Sequence, residues 1–149
     1  MGTTEPIRDN RELKRFTTYY MDVKVNERNY CLVAAGLNTA LRISDILKLK
    51  WEDVYDFNSK KWKSHIELLE KKTGKKQYIC INKYFLTSLK KLFDVHKNAQ
   101  WNAYIFSPYN KGTEPLTRVQ AYRIVKEAAK QSVCDDSHIS CHSLRKTFG

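Results

Sequence analysis

Residues 39–54 read TALRISDILKLKWEDV. The apolar positions Leu41, Ile43, Ile46, Leu47 and Leu49, with Trp51 just after, predict a short helix from Arg42 to Lys48 packed into a core. Arg42 falls outside that apolar pattern. A guanidinium at the head of such a helix, beside Ser44 and Asp45, is either paired with a carboxylate or open to an anion.

The same kind of pattern extends in both directions. Residues 10–22 follow a capping Asp9 or Asn10 and carry Leu13, Phe16 and Tyr20 on one helical face. Residues 27–38 follow Asn26, another good cap, and are apolar nearly all round, which predicts the central buried helix. Downstream, VYDF reads as a short strand, Asn58 and Ser59 as a turn, and KWKSHIELL as a second strand. KKTGKK turns at Gly74 into a third, QYICIN. A helix over 83–97 turns Phe85, Leu89, Leu92 and Phe93 inward. YIFSPYNKGTEP is an extended piece with a loop, a helix over 116–133 is capped by Thr117, and Ser140 caps a last helix, CHSLRKTFG. The expected fold class is α+β, mainly α-helical with a small three-stranded antiparallel sheet. There is no internal repeat, low-complexity tract or domain linker to break it.

The 149 residues suffice for one domain with a real core, and 42 % apolar content excludes a disordered chain. Lys and Arg number 27 against 16 Asp and Glu, a formal charge of +11. That excess points to a polyanion partner, DNA or RNA. A membrane-surface protein would need a basic amphipathic helix or a lipid signal, and neither is present. Gly2 follows Met1, but Pro6 or Ile7 stands where a myristoylation signal has Ser or Thr. MGTTEPIRDN has no apolar signal region, and no apolar run has the length of a membrane span, so the protein is expected in the cytoplasm. Without a signal peptide, the four cysteines do not read as a disulfide framework. Cys31 and Cys80 lie in apolar patterns and read as small core residues. Cys134, His138, Cys141 and His142 have zinc-ligand chemistry. Their spacing matches no common layout, because the adjacent Cys141 and His142 point apart. No metal or cofactor is expected.

Three features carry chemistry. They are Arg42 at a helix start, Lys72 in the turn of EKKTGKKQYICI, and His142 with Arg145 at i and i+3 on one helix face. Arginine's fork of donors matches phosphate oxygens and keeps its proton, while lysine and histidine can move protons. Such a set can stabilise a pentavalent phosphorus without a metal. Each residue also has a plainer reading. Arg42 could pair with Asp45, Lys72 could be a solvated turn charge, and His142 with Arg145 could be a polar helix face. Tyr19, Tyr20, Trp51, Trp62 and Trp101 read as core or half-buried packing.

Taken in order, ALRISDILKLKWEDV, the KTGKKQYICI hairpin and HSLRKTFG resemble the catalytic domain of the tyrosine recombinases, the phage integrase family. The resemblance runs from about the first helix to the last residue, and the composition is similar to that of integrases from phages and conjugative elements of low-GC bacteria. It implies the catalytic core of a DNA breaking-rejoining enzyme working by transesterification through a 3′-phosphotyrosyl intermediate. Arg42 and Arg145 would hold the non-bridging oxygens of the scissile phosphate, with Asp45 supporting Arg42. His142 would donate and handle protons, and Lys72 would protonate the leaving 5′ oxygen. Lys72 is assigned from its place ahead of the strand, with Lys71, Lys75 and Lys76 as neighbouring registers. The implied partners are double-stranded DNA and further copies of the protein assembled on it.

The chain departs from the family pattern in two ways. The family's nucleophilic tyrosine lies downstream of H-x-x-R, and all nine tyrosines here precede it. The helical core-binding domain that precedes the catalytic domain is also not present. Residues 1–149 are therefore expected to be an integrase catalytic domain incomplete at its C-terminal end. The alternative is a non-catalytic DNA-binding remnant or regulatory module of the same fold. A metal-dependent nuclease is disfavoured, because the acidic residues form no cluster with ligand spacing.

Overall fold

The computed structural model describes residue 7 and residues 9–70 and 72–132. Helix α1 (Asn10–Thr18) runs into a π-helical turn (Tyr19–Val23). Helices α2 (Glu27–Asn38) and α3 (Ile43–Leu47) follow, then a 3-10 turn (Trp51–Asp53). Strands β1 (Tyr55–Asp56), β2 (Lys61–Trp62), β3 (His65–Leu69) and β4 (Lys76–Cys80) come next. Helix α4 (Lys83–Val95), a 3-10 turn (Pro108–Asn110) and α5 (Arg118–Ser132) complete the described chain. The expected last helix, after Ser140, lies outside the described residues.

Side-chain caps set most helix starts. Asp9 accepts from the backbone of Arg11 and Glu12 at 2.8 and 3.2 Å, and those bonds hold its carboxyl below the usual range. Asn26 and Asn82 each accept from the backbone N–H three residues on. Thr117 and Gln120 cap α5 reciprocally, side chain to backbone, at 3.1 and 2.8 Å. The first helix does not stay α-helical to residue 22. Thr17 and Thr18 bond back to the carbonyls of Leu13 and Lys14, and the widened turn that follows buries the adjacent Tyr19 and Tyr20 together.

Helix α2 is the wall between two apolar clusters. Cys31, Leu32 and Ala35 face one cluster, with α3, Trp51 and α4. Val33 faces the other, with Phe16, Tyr19 and Tyr20 and with Val125, Ala128 and Ala129 of α5. This double burial explains the near-continuous apolar run of residues 27–38. Full burial pushes the Cys31 thiol up to about 12, so it is an inert core group.

The strands form two two-stranded antiparallel sheets, β1–β2 and β3–β4, instead of the expected three-stranded one. KWKSHIELL is divided at Lys63 and Ser64. Lys63 N–H still bonds to Val54 O, whereas Ser64 O already accepts from Ile81 N–H, so the segment passes its pairing from one partner to the next. Trp62 turns against Trp51, Tyr55 and Phe93 at this bend. The expectation for Cys80 is also corrected, because it is exposed. Period two on β4 places it with Lys76 and Tyr78 on the outer face, while Ile79 and Ile81 turn inward. Trp101, expected to pack, is 58 % exposed.

Trp51 is fully buried, edge-on to Phe93 and His96. Its backbone N–H bonds to Ala103 O, and Ile105 N–H bonds to Leu49 O, so the end of the α3 segment is tied to residues 103–105. Trp51→Ala should cost about 3–5 kcal/mol in urea unfolding, as expected for emptying a large aromatic site. His96 is buried, with Nε2 donating to Tyr104 O and Nδ1 accepting from Asn98 N–H, so the neutral ring satisfies both contacts. Burial lowers its pKa below the ordinary 6.5, partly opposed by the Tyr104 bond. The unfolded chain thus takes the proton first. Stability from this site is full above the ordinary value and is lost as pH falls below it towards the folded value. Urea midpoints measured from neutral pH downward should fall for the wild type, and His96→Gln should flatten that decline.

Candidate functional site

Arg42 is the N-cap residue of α3, in extended backbone, and its carbonyl accepts from Asp45 and Ile46 N–H at 3.0 Å each. Its side chain is exposed and makes no hydrogen bond or ion pair with the described residues. The plain alternative, a helix-start pair with Asp45, is not formed. Asp45 contributes instead as a negative charge in the first turn of α3, three residues from the guanidinium. Beneath Arg42, Leu41, Ile46 and Leu47 are buried in the main cluster. The side chain is thus presented by a rooted helix and is unpaired among the described residues.

Lys72 is exposed in the β3–β4 turn. Gly74 N–H bonds to Glu70 O and Glu70 N–H to Lys75 O, closing the turn, and Gly74 takes φ +69°, a conformation that side chains resist. Thr73 Oγ1 donates to Glu70 Oε2 and accepts from Lys75 N–H. The Lys72 ammonium has no partner among the described residues. Ile66 of β3, fully buried, roots the hairpin in the same cluster that holds α3. No hydrogen bond ties the turn to α3 among the described residues. Lys75 and Lys76 are exposed as well. Lys71, His142, Arg145 and the Cys134, His138 and Cys141 group lie outside the described residues.

A second basic feature was not legible in the sequence. An open cleft of about 570 Å³ is lined by Arg28 of α2, Lys97 after α4 and Arg123 of α5, with the 108–110 turn along one side. Arg28 donates to Asn29 Oδ1 through Nε and Nη2 and to Ser107 O through Nη1. Half-buried and without a carboxylate partner among the described residues, its guanidinium is lowered in pKa by desolvation. Tyr109 and Asn110 both have positive φ, 55° and 54°, and Tyr109 is 77 % exposed with Lys111 over its ring. Each left-handed non-glycine residue costs about 1–3 kcal/mol. Gly112 closes the turn by donating to Ser107 Oγ, and a Cβ there would meet Ala103 Cβ at 2.7 Å.

Comparison with known proteins decides the family. The phage integrase family matches residues 9–149. The chain belongs to that family. Within the integrases, it is 39 % identical over 150 residues to the probable integrase/recombinase YoeC of Bacillus subtilis strain 168, covering all of this chain and 75 % of that protein. Among solved structures, the Tn1549 transposon integrase in complex with transposon right end DNA superposes with a TM-score of 0.70 at 20 % identity, covering 99 % of this chain and 52 % of that one. A lambda integrase dimer bound to a COC′ core site gives 0.68 at 18 % identity, again over 99 % of this chain and 52 % of the other. These likenesses show a tyrosine recombinase fold, and the chain spans about half the length of those solved integrases. No helix among the described residues is long and apolar enough to cross a membrane.

The strain in the 108–110 turn can be measured directly. Tyr109→Gly should raise stability by about 0.5–1 kcal/mol, because glycine adopts the left-handed conformation freely but loses more chain entropy on folding. Tyr109→Val, branched at Cβ, should lower it. Equal unfolding midpoints for the two variants would contradict the strain.

Proposed function

We propose that this domain serves site-specific DNA recombination, the integration or excision of a mobile element, by transesterification through a 3′-phosphotyrosyl intermediate. The observation that carries the reading is the side chain of Arg42. It is exposed, without a counter-charge among the described residues, and mounted on a helix whose other face is locked in the core. A guanidinium held in that way suits a phosphate that arrives from outside. Family membership and the structures of integrases on DNA support the same reading.

In the proposed reaction a tyrosine oxygen attacks the scissile phosphorus, the new O–P bond forms, and the bond to the 5′ oxygen breaks. Arg42 and Arg145 hold the non-bridging oxygens, where charge grows in the transition state. Asp45 biases the Arg42 side chain by its charge, and His142 donates to the phosphate and handles protons. Lys72 gives its proton to the departing 5′ oxygen. Rejoining reverses these steps with a new 5′ hydroxyl. The substrate is double-stranded DNA, the working unit is an assembly of several copies on that DNA, and the reaction takes place in the cytoplasm.

The test uses a nicked suicide duplex and a longer protein in which residues 1–149 are joined to a C-terminal segment that carries a tyrosine. Arg42→Ala should abolish most covalent adduct while leaving DNA binding largely intact, a loss of roughly 3–4 kcal/mol of transition-state stabilisation. Lys72→Ala should slow cleavage of an ordinary phosphodiester, and a 5′-thio leaving group should restore much of the rate, because sulfur leaves without a proton. Rescue of Lys75→Ala in place of Lys72→Ala would move the general acid to the neighbouring register. Full cleavage by Arg42→Ala would reject the site.

A further inference from the structure

The cleft between α2, α5 and the 108–110 turn is lined by neither Arg42 nor Lys72, the two described residues among those assigned to the scissile phosphate. It brings together Arg28, Lys97 and Arg123, which are distant in sequence, and among the described residues no acidic side chain lines it. None of the three has an ion pair among the described residues. Like charges gathered in a concavity repel one another and focus a positive potential outward, which favours a bound anion. Two further features bear on the same cleft. The strained Tyr109–Asn110 turn forms one wall and holds Tyr109 out to solvent, with Lys111 above its ring. Asn110 Oδ1 is buried without a hydrogen-bond partner among the described residues.

We propose that this cleft is a second phosphate-binding site, which takes a backbone phosphodiester of duplex DNA away from the cleavage point. The proposal rests on the recombinase reading for its ligand, and on the cleft for its place. Arg28 positions the site: its bond to Ser107 O braces the residue that starts the strained turn. Arg123 and Lys97 are exposed and make no hydrogen bond or ion pair among the described residues, so they make the direct contacts. A contact of this kind fixes the register of the domain on DNA and carries no base preference.

The experiment measures binding of the 149-residue chain to a labelled duplex by fluorescence anisotropy across a salt series. Arg123→Ala and Lys97→Ala should each weaken binding about 3–10-fold at low salt and reduce the slope of log affinity against log salt by about one, on any duplex sequence. Arg123→Lys should keep most of the slope. Lys61→Ala, an exposed cation on β2 that does not line the cleft, should leave it unchanged. Thermal unfolding of each variant checks that the fold is intact. Wild-type affinity and slope in both cleft variants, or an equal loss in Lys61→Ala, would overturn the proposal. With Arg42-dependent cleavage retained in the longer protein, that result leaves the recombinase reading standing. Slope losses confined to the cleft variants, in a protein that forms no covalent adduct, would uphold the cleft and remove the recombinase reading.

Discussion

Arg42 stands on a helix too short to hold itself. Helix α3 has five residues, well under the length at which an isolated helix is stable in water. Its orientation comes from what lies on either side. Ile46 and Leu47 are buried against the main cluster, and Leu49 and Trp51 are tied through backbone bonds to Ile105 and Ala103. Trp51 then closes an edge-to-face aromatic group with Phe93, Trp62 and His96. The arginine is therefore aimed by packing behind it, and its own side chain makes no bond among the described residues.

The same separation of duties recurs at the hairpin. Ile66 and Ile79 anchor β3 and β4, while the turn that carries Lys72 is shaped by Gly74 and the Thr73–Glu70 bond. In both places the backbone and apolar side chains fix the position, and the charged group faces water. An internal ion pair would have satisfied Arg42 but would have competed with any incoming phosphate. Among the described residues the only ion pair is Lys24 with Glu127, which bridges the π-helical turn to α5.

The cleft shows a different use of charge. Arg28 is half-buried and spends its donors on Asn29 and Ser107, so part of its positive charge is held inside the protein as a brace for the strained turn. Arg123 and Lys97 are exposed around it. The resulting field belongs to the fold, since each cation comes from a different element and none is part of a motif.

Local pattern determined much of this protein in advance. The periodicity of residues 27–38, the caps at Asn26 and Thr117, the buried face of Phe85, Leu89 and Leu92, and the turn at Gly74 are all near-neighbour properties. They depend on residues within a few positions of each other. The ALRISD and hairpin motifs were legible for the same reason, and they led to the family. Tertiary structure decided the rest. It split KWKSHIELL between two hairpins, because Trp62 has to turn into the aromatic group. It turned Cys80 outward, because pairing with β3 fixed which face of β4 meets the core. It forced Tyr109 into a left-handed turn and drew Arg28, Lys97 and Arg123 into one cleft. Each of these outcomes depends on segments that meet only after the chain has closed on itself, and no local rule of spacing encodes such a meeting.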